Sequence, residues 1–188
     1  MEKHLFVALQ LPEKIKTTLS EICSEVRNEA SFKKWVHPSD YHITLAFLGK
    51  TEKQQLNILF PLLDEIVASF KAFELNINHF GFFGKAENPR IFWAGVEEQE
   101  CLFDLQRQIA EACHEAGFSL EKRPYKPHIT LSRKFNESEH SLLDENEWWK
   151  KFGQVIHFQT ESIVVFETHF EKSPKYEIVQ SFSLKNSL

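Results

Sequence analysis

The stretch Tyr41-His42-Ile43-Thr44-Leu45-Ala46-Phe47-Leu48-Gly49, together with its echo Pro127-His128-Ile129-Thr130-Leu131-Ser132-Arg133, decides how this 188-residue chain is read. Side chains at i and i+2 of a β-strand share a face. Each copy of His-Ile-Thr-Leu therefore sets an imidazole beside a hydroxyl and turns the isoleucine the other way. One such tetrapeptide is ordinary strand sequence; two identical ones indicate a duplication.

The repeat is larger than the motif. The histidines stand 86 positions apart (42 to 128), and the same offset pairs Phe6 with Phe92, Ala8 with Ala94, Leu19 with Leu105, Glu29 with Glu115, Phe32 with Phe118 and Pro38 with Pro124. Two copies with so long a period do not make a solenoid. They predict an α+β protein of two lobes related by a pseudo-twofold, the motif-bearing repeats covering about 4–48 and 90–134. Such lobes present His42-Thr44 and His128-Thr130 to one another across a shared cleft. Chance alignment of two strand-helix-strand units is the bland alternative.

Outward from the motifs, residues 4–10 read as a buried strand. Ile15, Leu19, Ile22 and Val26 form the stripe of a helix entered at Pro12. A connection containing Trp35 and Pro38 leads to the first motif strand, 41–48. One face of that strand carries His42, Thr44, Ala46 and Leu48; the other carries Tyr41, Ile43, Leu45 and Phe47 and is wholly apolar. Gly49 is expected to end it, with Thr51 and Gln54 boxing the start of a helix through Leu56, Leu59, Phe60, Leu63, Val67 and Phe70. Pro61 predicts a kink or two segments there. Residues 73–83 read as one strand or two, broken by Gly81 and Gly84, before a loop over 85–89. The second unit has a strand 91–96, a helix through Leu102, Leu105, Ile109, Ala112 and Ala116 capped by Gly117, and the second motif strand 127–134. A short helix over 142–152 and strands over 156–168 and 176–184 complete the chain, with a turn at Ser173-Pro174.

The formal charge of −5 argues against broad duplex binding but leaves room for a nucleotide or an RNA end in a local pocket. Cys23, Cys101 and Cys113 are an odd number without CxxC spacing, so neither a disulfide framework nor a zinc site is expected. The apolar run Leu5-Phe6-Val7-Ala8-Leu9 is too short for a signal-peptide core or a membrane span. A reduced, cytoplasmic protein follows from these features.

Two histidines flanking one reacting group can act as general acid and general base together, which suits in-line displacement at phosphorus. The hydroxyls of Thr44 and Thr130 are suited to donate to phosphoryl oxygens, and Arg133 adds a cation. Arg133 has the wrong parity to share a face with His128 in a regular strand, so it must reach the cleft by a bulge, the strand end or its own length. In the first copy Phe47 takes its place.

These motifs resemble the two-histidine (2H) phosphoesterase superfamily, and within it the bacterial and archaeal RNA 2′,3′-cyclic phosphodiesterases, formerly called 2′-5′ RNA ligases. Leu5-Phe6-Val7-Ala8 with Leu11-Pro12, Trp35-Val36, and Pro89-Arg90-Ile91-Phe92-Trp93 extend the resemblance, which weakens after about Phe135. It implies two antiparallel sheets walling a central cleft, with helices outside. It also implies hydrolysis of RNA 2′,3′-cyclic phosphate ends to 2′-phosphomonoesters without metal or cofactor. His42 would donate the proton to O3′ and His128 would activate water, with Thr44, Thr130 and Arg133 binding substrate. Some members also join RNA through a 2′-5′ linkage. A monomer acting on RNA termini or small cyclic nucleotides, with no membrane partner, is the resulting expectation. Two alternatives remain. One is the same chemistry on small cyclic nucleotides, ADP-ribose cyclic phosphate or 2′-5′ oligonucleotides; the other is a non-catalytic RNA-end binding module.

Outside the motifs, His4, His37, His79, His114, His140, His157 and His169 are expected to be structural or surface groups, and no HExxH is present. Trp35, Tyr41, Phe82 and Phe83 are candidate base-stacking residues, with core packing the simpler role for each. Lys33-Lys34 and Lys150-Lys151 can guide RNA but suit solvated surface equally.

Overall fold

The computed structural model describes residues 3–30, 32–85, 88–135 and 144–185. Nine strands form two antiparallel sheets among these residues. The first has the order β3 (His42–Thr51), β1 (Lys3–Gln10), β8 (Ser162–Thr168), β9 (Tyr176–Ser183). The second has the order β2 (Phe32–Trp35), β6 (His128–Phe135), β5 (Asn88–Val96), β4 (Glu74–Lys85), β7 (Ile156–Gln159). Helices α1 (Glu13–Val26), α2 (Lys53–Ser69), α3 (Glu100–Glu115) and α4 (Glu145–Phe152) complete the α+β architecture.

The 86-residue offset carries β1 onto β5, α1 onto α3 and β3 onto β6, and it carries β4 onto the stretch containing β8. Those last two strands are exchanged. β4, from the first half of the chain, pairs with β5, while β8, from the second, pairs with β1. Each sheet therefore holds strands from both halves, and one continuous apolar core runs from Val7, Leu9, Leu19 and Ile43 to Leu105, Ile109, Ile129 and Leu131.

Several local expectations shift. α2 runs unbroken through Pro61. Pro61 and Asn57, whose carbonyl loses its partner, are both exposed, while Leu59 and Leu63 on the inner face are fully buried; the break thus falls on the solvent side, and packing of the inner face holds the axis. The capping box uses Glu52 and Gln55, one residue later than expected. β3 continues through Gly49, which adopts φ 66 opposite Leu5. β4 passes unbroken through Gly81 because the missing side chain makes room for an indole: a Cβ there would lie 2.1 Å from the Trp93 ring. The span expected as a loop over 85–89 is mostly strand, since β4 reaches Lys85 and β5 starts at Asn88, with 86 and 87 outside the described residues. Gly117, at φ 84, does terminate α3.

Two corrections are larger. The connection before the first motif contains β2, held against β6 by Phe32, whose ring packs with Phe92 and Phe135 at centroid distances of 5.8 and 5.2 Å. Residues 156–168 form two strands in different sheets, parted at Thr160, which is fully buried and clamps Phe73 through both its backbone N–H and its hydroxyl. The helix expected over 142–152 starts at Glu145, capped by Asp144; residues 142 and 143 lie outside the described residues.

Candidate active site

The two motif strands approach one another across the sheets, and each carries a one-residue bulge at the same point of the repeat. Between Ala8 and Val7 the partner on β3 jumps from Thr44 to Ala46; between Trp93 and Phe92 the partner on β6 jumps from Thr130 to Ser132. Leu45 and Leu131 are thus the extra residues, 86 positions apart. Their displaced carbonyls are taken up elsewhere, Leu45 O by the Gln106 amide at 3.2 Å and Leu131 O by Val36 N–H at 2.9 Å. A bulge resets the alternation of a strand. It carries Arg133 into the cavity that Thr44 and His128 line, resolving its parity. It also overturns the expected face of Phe47, which is 61 % exposed and lines the same cavity rather than the core.

The histidines are oriented by one device used twice. Nδ1–H of His42 donates to Asp40 O at 2.7 Å, and Nδ1–H of His128 donates to Lys126 O at 2.8 Å, each to the carbonyl two residues back. That bond sets the tautomer and leaves both Nε2 atoms for chemistry. The Thr44 hydroxyl is 3.0 Å from His42 Nε2. His42 is enclosed by the rings of Phe6, Tyr176 and Phe166, at centroid distances of 4.8, 5.2 and 5.7 Å. Burial therefore pushes its pKa down to about 4, opposed by the Asp40 carbonyl and reinforced by His128 when that ring is protonated and by the charges of Arg133 and Lys16. His128 lies against Phe83 and Trp93 at 4.9 and 5.9 Å and is also lowered, first by burial, then by Arg133 and Lys126 against the Lys126 carbonyl. Both imidazoles are neutral near pH 7.

A cavity of about 1400 Å³ opens beside His128, lined by Thr44, Phe47, Phe83, His128 and Arg133 among others; His42 and Thr130 are not part of its lining. Thr130, half-buried, follows His128 on the same strand face. The fifth residue of the set, His42, is enclosed beside Thr44.

Two supporting residues escaped the reading of the sequence. The buried Asp40 carboxylate accepts hydrogen bonds from the backbone N–H groups of Lys175 and Tyr176 at 2.9–3.1 Å, tying the start of β9 to the residue whose carbonyl orients His42. Tyr176 in turn lies edge-on to His42 and close enough to Arg133 for the guanidinium charge to oppose the burial that raises its phenol, so it stands between the two sheets. No local spacing connects 40 with 176, so the pattern held no signal for them. Of the candidate stacking residues, only Phe83 lines the cavity. Tyr41 is buried with its hydroxyl on Cys23 Sγ, Trp35 lies under Arg27, and Phe82 packs with Phe92 and Trp148. Lys33 lines the cavity, whereas Lys151 is paired with Glu29. His114 reaches the cavity rim with Nδ1 on Phe118 O; His140 lies outside the described residues. Among the described residues no three His, Cys, Asp or Glu side chains converge as metal ligands, and no helix is long and apolar enough to cross a membrane.

β3 and β6 thus bring His42 and His128, each with a threonine two residues on, close to the Arg133 guanidinium. Comparison with known proteins identifies the class. The model of the LigT-like phosphoesterase family matches residues 9–93 and 95–176, windows that begin 86 positions apart, and the chain belongs to that family. The match runs well past Phe135, where the motifs alone weaken. An RNA 2′,3′-cyclic phosphodiesterase of Geobacillus stearothermophilus is 37 % identical over 181 residues, covering 96 % of this chain and 57 % of the relative. The chain thus spans little more than half of that relative. One of Bacillus subtilis is 33 % identical over 187 residues and 96 % of both chains. In structure, Escherichia coli LigT complexed with 3′-AMP superposes with a TM-score of 0.78 at 20 % identity, over 98 % of this chain and 99 % of that one; at that identity the likeness speaks for the fold.

Proposed function

We propose that the protein hydrolyses RNA 2′,3′-cyclic phosphate ends to 2′-phosphomonoesters by acid-base catalysis between His42 and His128. The observation that carries this reading is the matched pair of neutral imidazoles, held in the same tautomer on facing strands beside Arg133. Nε2 of His128, which lines the open cavity where water enters, takes a proton from the attacking water. The new P–O bond forms as the P–O3′ bond breaks, and Nε2–H of His42, packed among the rings of Phe6, Phe166 and Tyr176, protonates the departing O3′. The anionic phosphate, placed between the rings, draws a proton onto His42 that the free site does not hold. Thr44, Thr130 and Arg133 donate to the non-bridging oxygens as charge builds on them. None of these steps calls on a metal or cofactor. The relatives named as RNA 2′,3′-cyclic phosphodiesterases support the substrate, and joining ends through a 2′-5′ linkage is the reverse type of reaction at the same site.

The exchanged strands and the main apolar core shared by both halves favour one domain of two interleaved lobes acting as a monomer, and the three free thiols suit the reducing cytoplasm. The test is turnover, in EDTA, of an RNA oligonucleotide with a 2′,3′-cyclic end. A 2′-phosphate product supports the assignment. A 3′-phosphate product reverses the leaving group; turnover of monomeric cyclic nucleotides alone moves the substrate to small molecules. Affinity for RNA ends without any turnover would leave a binding module.

A further inference from the structure

The cavity is larger than the chemistry needs. Its volume of about 1400 Å³ exceeds the roughly 300–1,000 Å³ of small-ligand sites, and its lining is strongly basic. Lys33, Arg90, Arg123, Lys126, Arg133 and Lys134 line it, against the single carboxylate of Glu121, in a chain whose formal charge is −5.

Three of those cations are grouped by the sheet. Arg133 pairs with Lys34 on β2 and with Ile91 on β5. Lys33, Lys134 and Arg90 are each the next residue along, on three adjacent strands about 4.8 Å apart. Like charges opposite one another disfavour pairing, and among the described residues none of the three forms an ion pair, although acidic residues outnumber basic ones, 27 to 22. Consecutive strand residues should point to opposite faces, yet Arg133 and Lys134 both line the cavity, because Lys134 takes the left-handed φ of 60, a conformation that side chains other than glycine adopt at a cost. An unfavourable backbone conformation that adds one more cation to an unpaired group points to an anion bound there. At the positions that the 86-residue offset equates with Lys134 and Lys33, Leu48 and Ser119 supply no charge, so the track runs in one direction only, out over the second sheet.

We propose that Lys33, Arg90 and Lys134 form a phosphate track that holds backbone phosphates on the 5′ side of the reacting end, so that a single-stranded RNA is preferred over a mononucleotide. The proposal rests on the reading of the His42–His128 site as the place of the terminal phosphate. The track engages the chain before and after the chemical step and leaves the step itself unchanged.

The test combines binding and turnover. The first probe is a 5′-fluorescent single-stranded RNA decamer ending in a 2′-phosphate, titrated by anisotropy across a salt series. Turnover is then measured on 2′,3′-cyclic AMP and on a decamer with a cyclic end. The variant is Lys33→Ala/Arg90→Ala/Lys134→Asn, asparagine being chosen because it tolerates the left-handed backbone; Lys33→Arg/Arg90→Lys serves as the conservative control that keeps the charge and tells folding loss from charge loss. The triple variant is expected to weaken decamer binding and raise the decamer KM about tenfold or more, with kcat and cyclic AMP turnover within twofold. Its salt slope should fall by about 2, from roughly 0.7 per phosphate. Unchanged decamer affinity and slope, an equal loss on cyclic AMP, or a wild type that does not bind the decamer overturns the track. Decamer binding lost in the variant without turnover by any form would retain the track and overturn the hydrolytic reading; cyclic-end turnover with binding unaffected would do the reverse.

Discussion

The two halves of the site are built alike at the centre and differently at the edge. Each has a motif histidine held through Nδ1 by the carbonyl two residues back, and each strand bulges at the following leucine. At the positions that the 86-residue offset equates, however, Asp40 faces Lys126 and Phe47 faces Arg133. Asp40 is buried and ties β9 over His42, closing that half. Lys126 is exposed and lies 4.5 Å over the Trp93 ring beside His128, leaving that half open and positive. A symmetric scaffold thus presents one half-buried ring tied under β9 and another half-buried ring beside the cavity and its cations.

The comparison is broken most severely at its centre. His42→Ala and His128→Ala should each lower kcat at least about a hundredfold, the reach of one proton-transfer group, and the double variant should be little worse than either single one, read by single-turnover kinetics. Equal residual rates with unchanged pH profiles would deny the division of labour. Next come the edge residues: Arg133→Ala should reduce kcat/KM by about a hundredfold through loss of a charge-assisted contact, whereas Phe47→Ala should cost about tenfold or less, the lower end of what one aromatic contact with a base contributes. Equal losses from both would mean that the halves bind the phosphate alike.

Asp40→Ala leaves the N–H groups of Lys175 and Tyr176 without their acceptor and should lower stability by about 1–3 kcal/mol in urea, with a smaller change in kcat through His42. The pH dependence of stability has a definite sign. The folded protein holds His42 neutral down to about pH 4, while the unfolded chain protonates near 6.5. Stability is therefore full above pH 6.5 and falls as pH drops from there toward 4, and His42→Gln should flatten part of that slope in urea melts. The smallest effect is expected at Lys126. Its charge helps depress His128, so Lys126→Ala should raise the His128 pKa and move the acidic limb of kcat/KM to higher pH, visible also by NMR titration of the ring.

How much was legible follows the reach of each signal. The helix stripes at Ile15, Leu19, Ile22 and Val26, and at Leu102, Leu105 and Ile109, were readable because helical periodicity is local. So was the duplication, because a constant offset survives without knowledge of contacts. Phe47 was assigned to the wrong face, since simple alternation has no means of recording that Leu45 is an extra residue. The strand β2 carries no local signal because its four residues become a strand through pairing with β6 and the packing of Phe32 on distant Phe92 and Phe135.

The sequence by itself determined that two imidazole-hydroxyl pairs exist, that each ends a strand-helix-strand unit, and that the units are copies. Those properties depend on the order and type of neighbouring residues. Only the tertiary structure decided that Arg133 and Phe47 turn into the cavity, that Asp40 and Tyr176 support His42, and that β4 and β8 change sheets. Each depends on hydrogen-bond register or packing between residues tens to more than a hundred positions apart, and such pairings are selected by the whole core at once rather than by any local run of the chain.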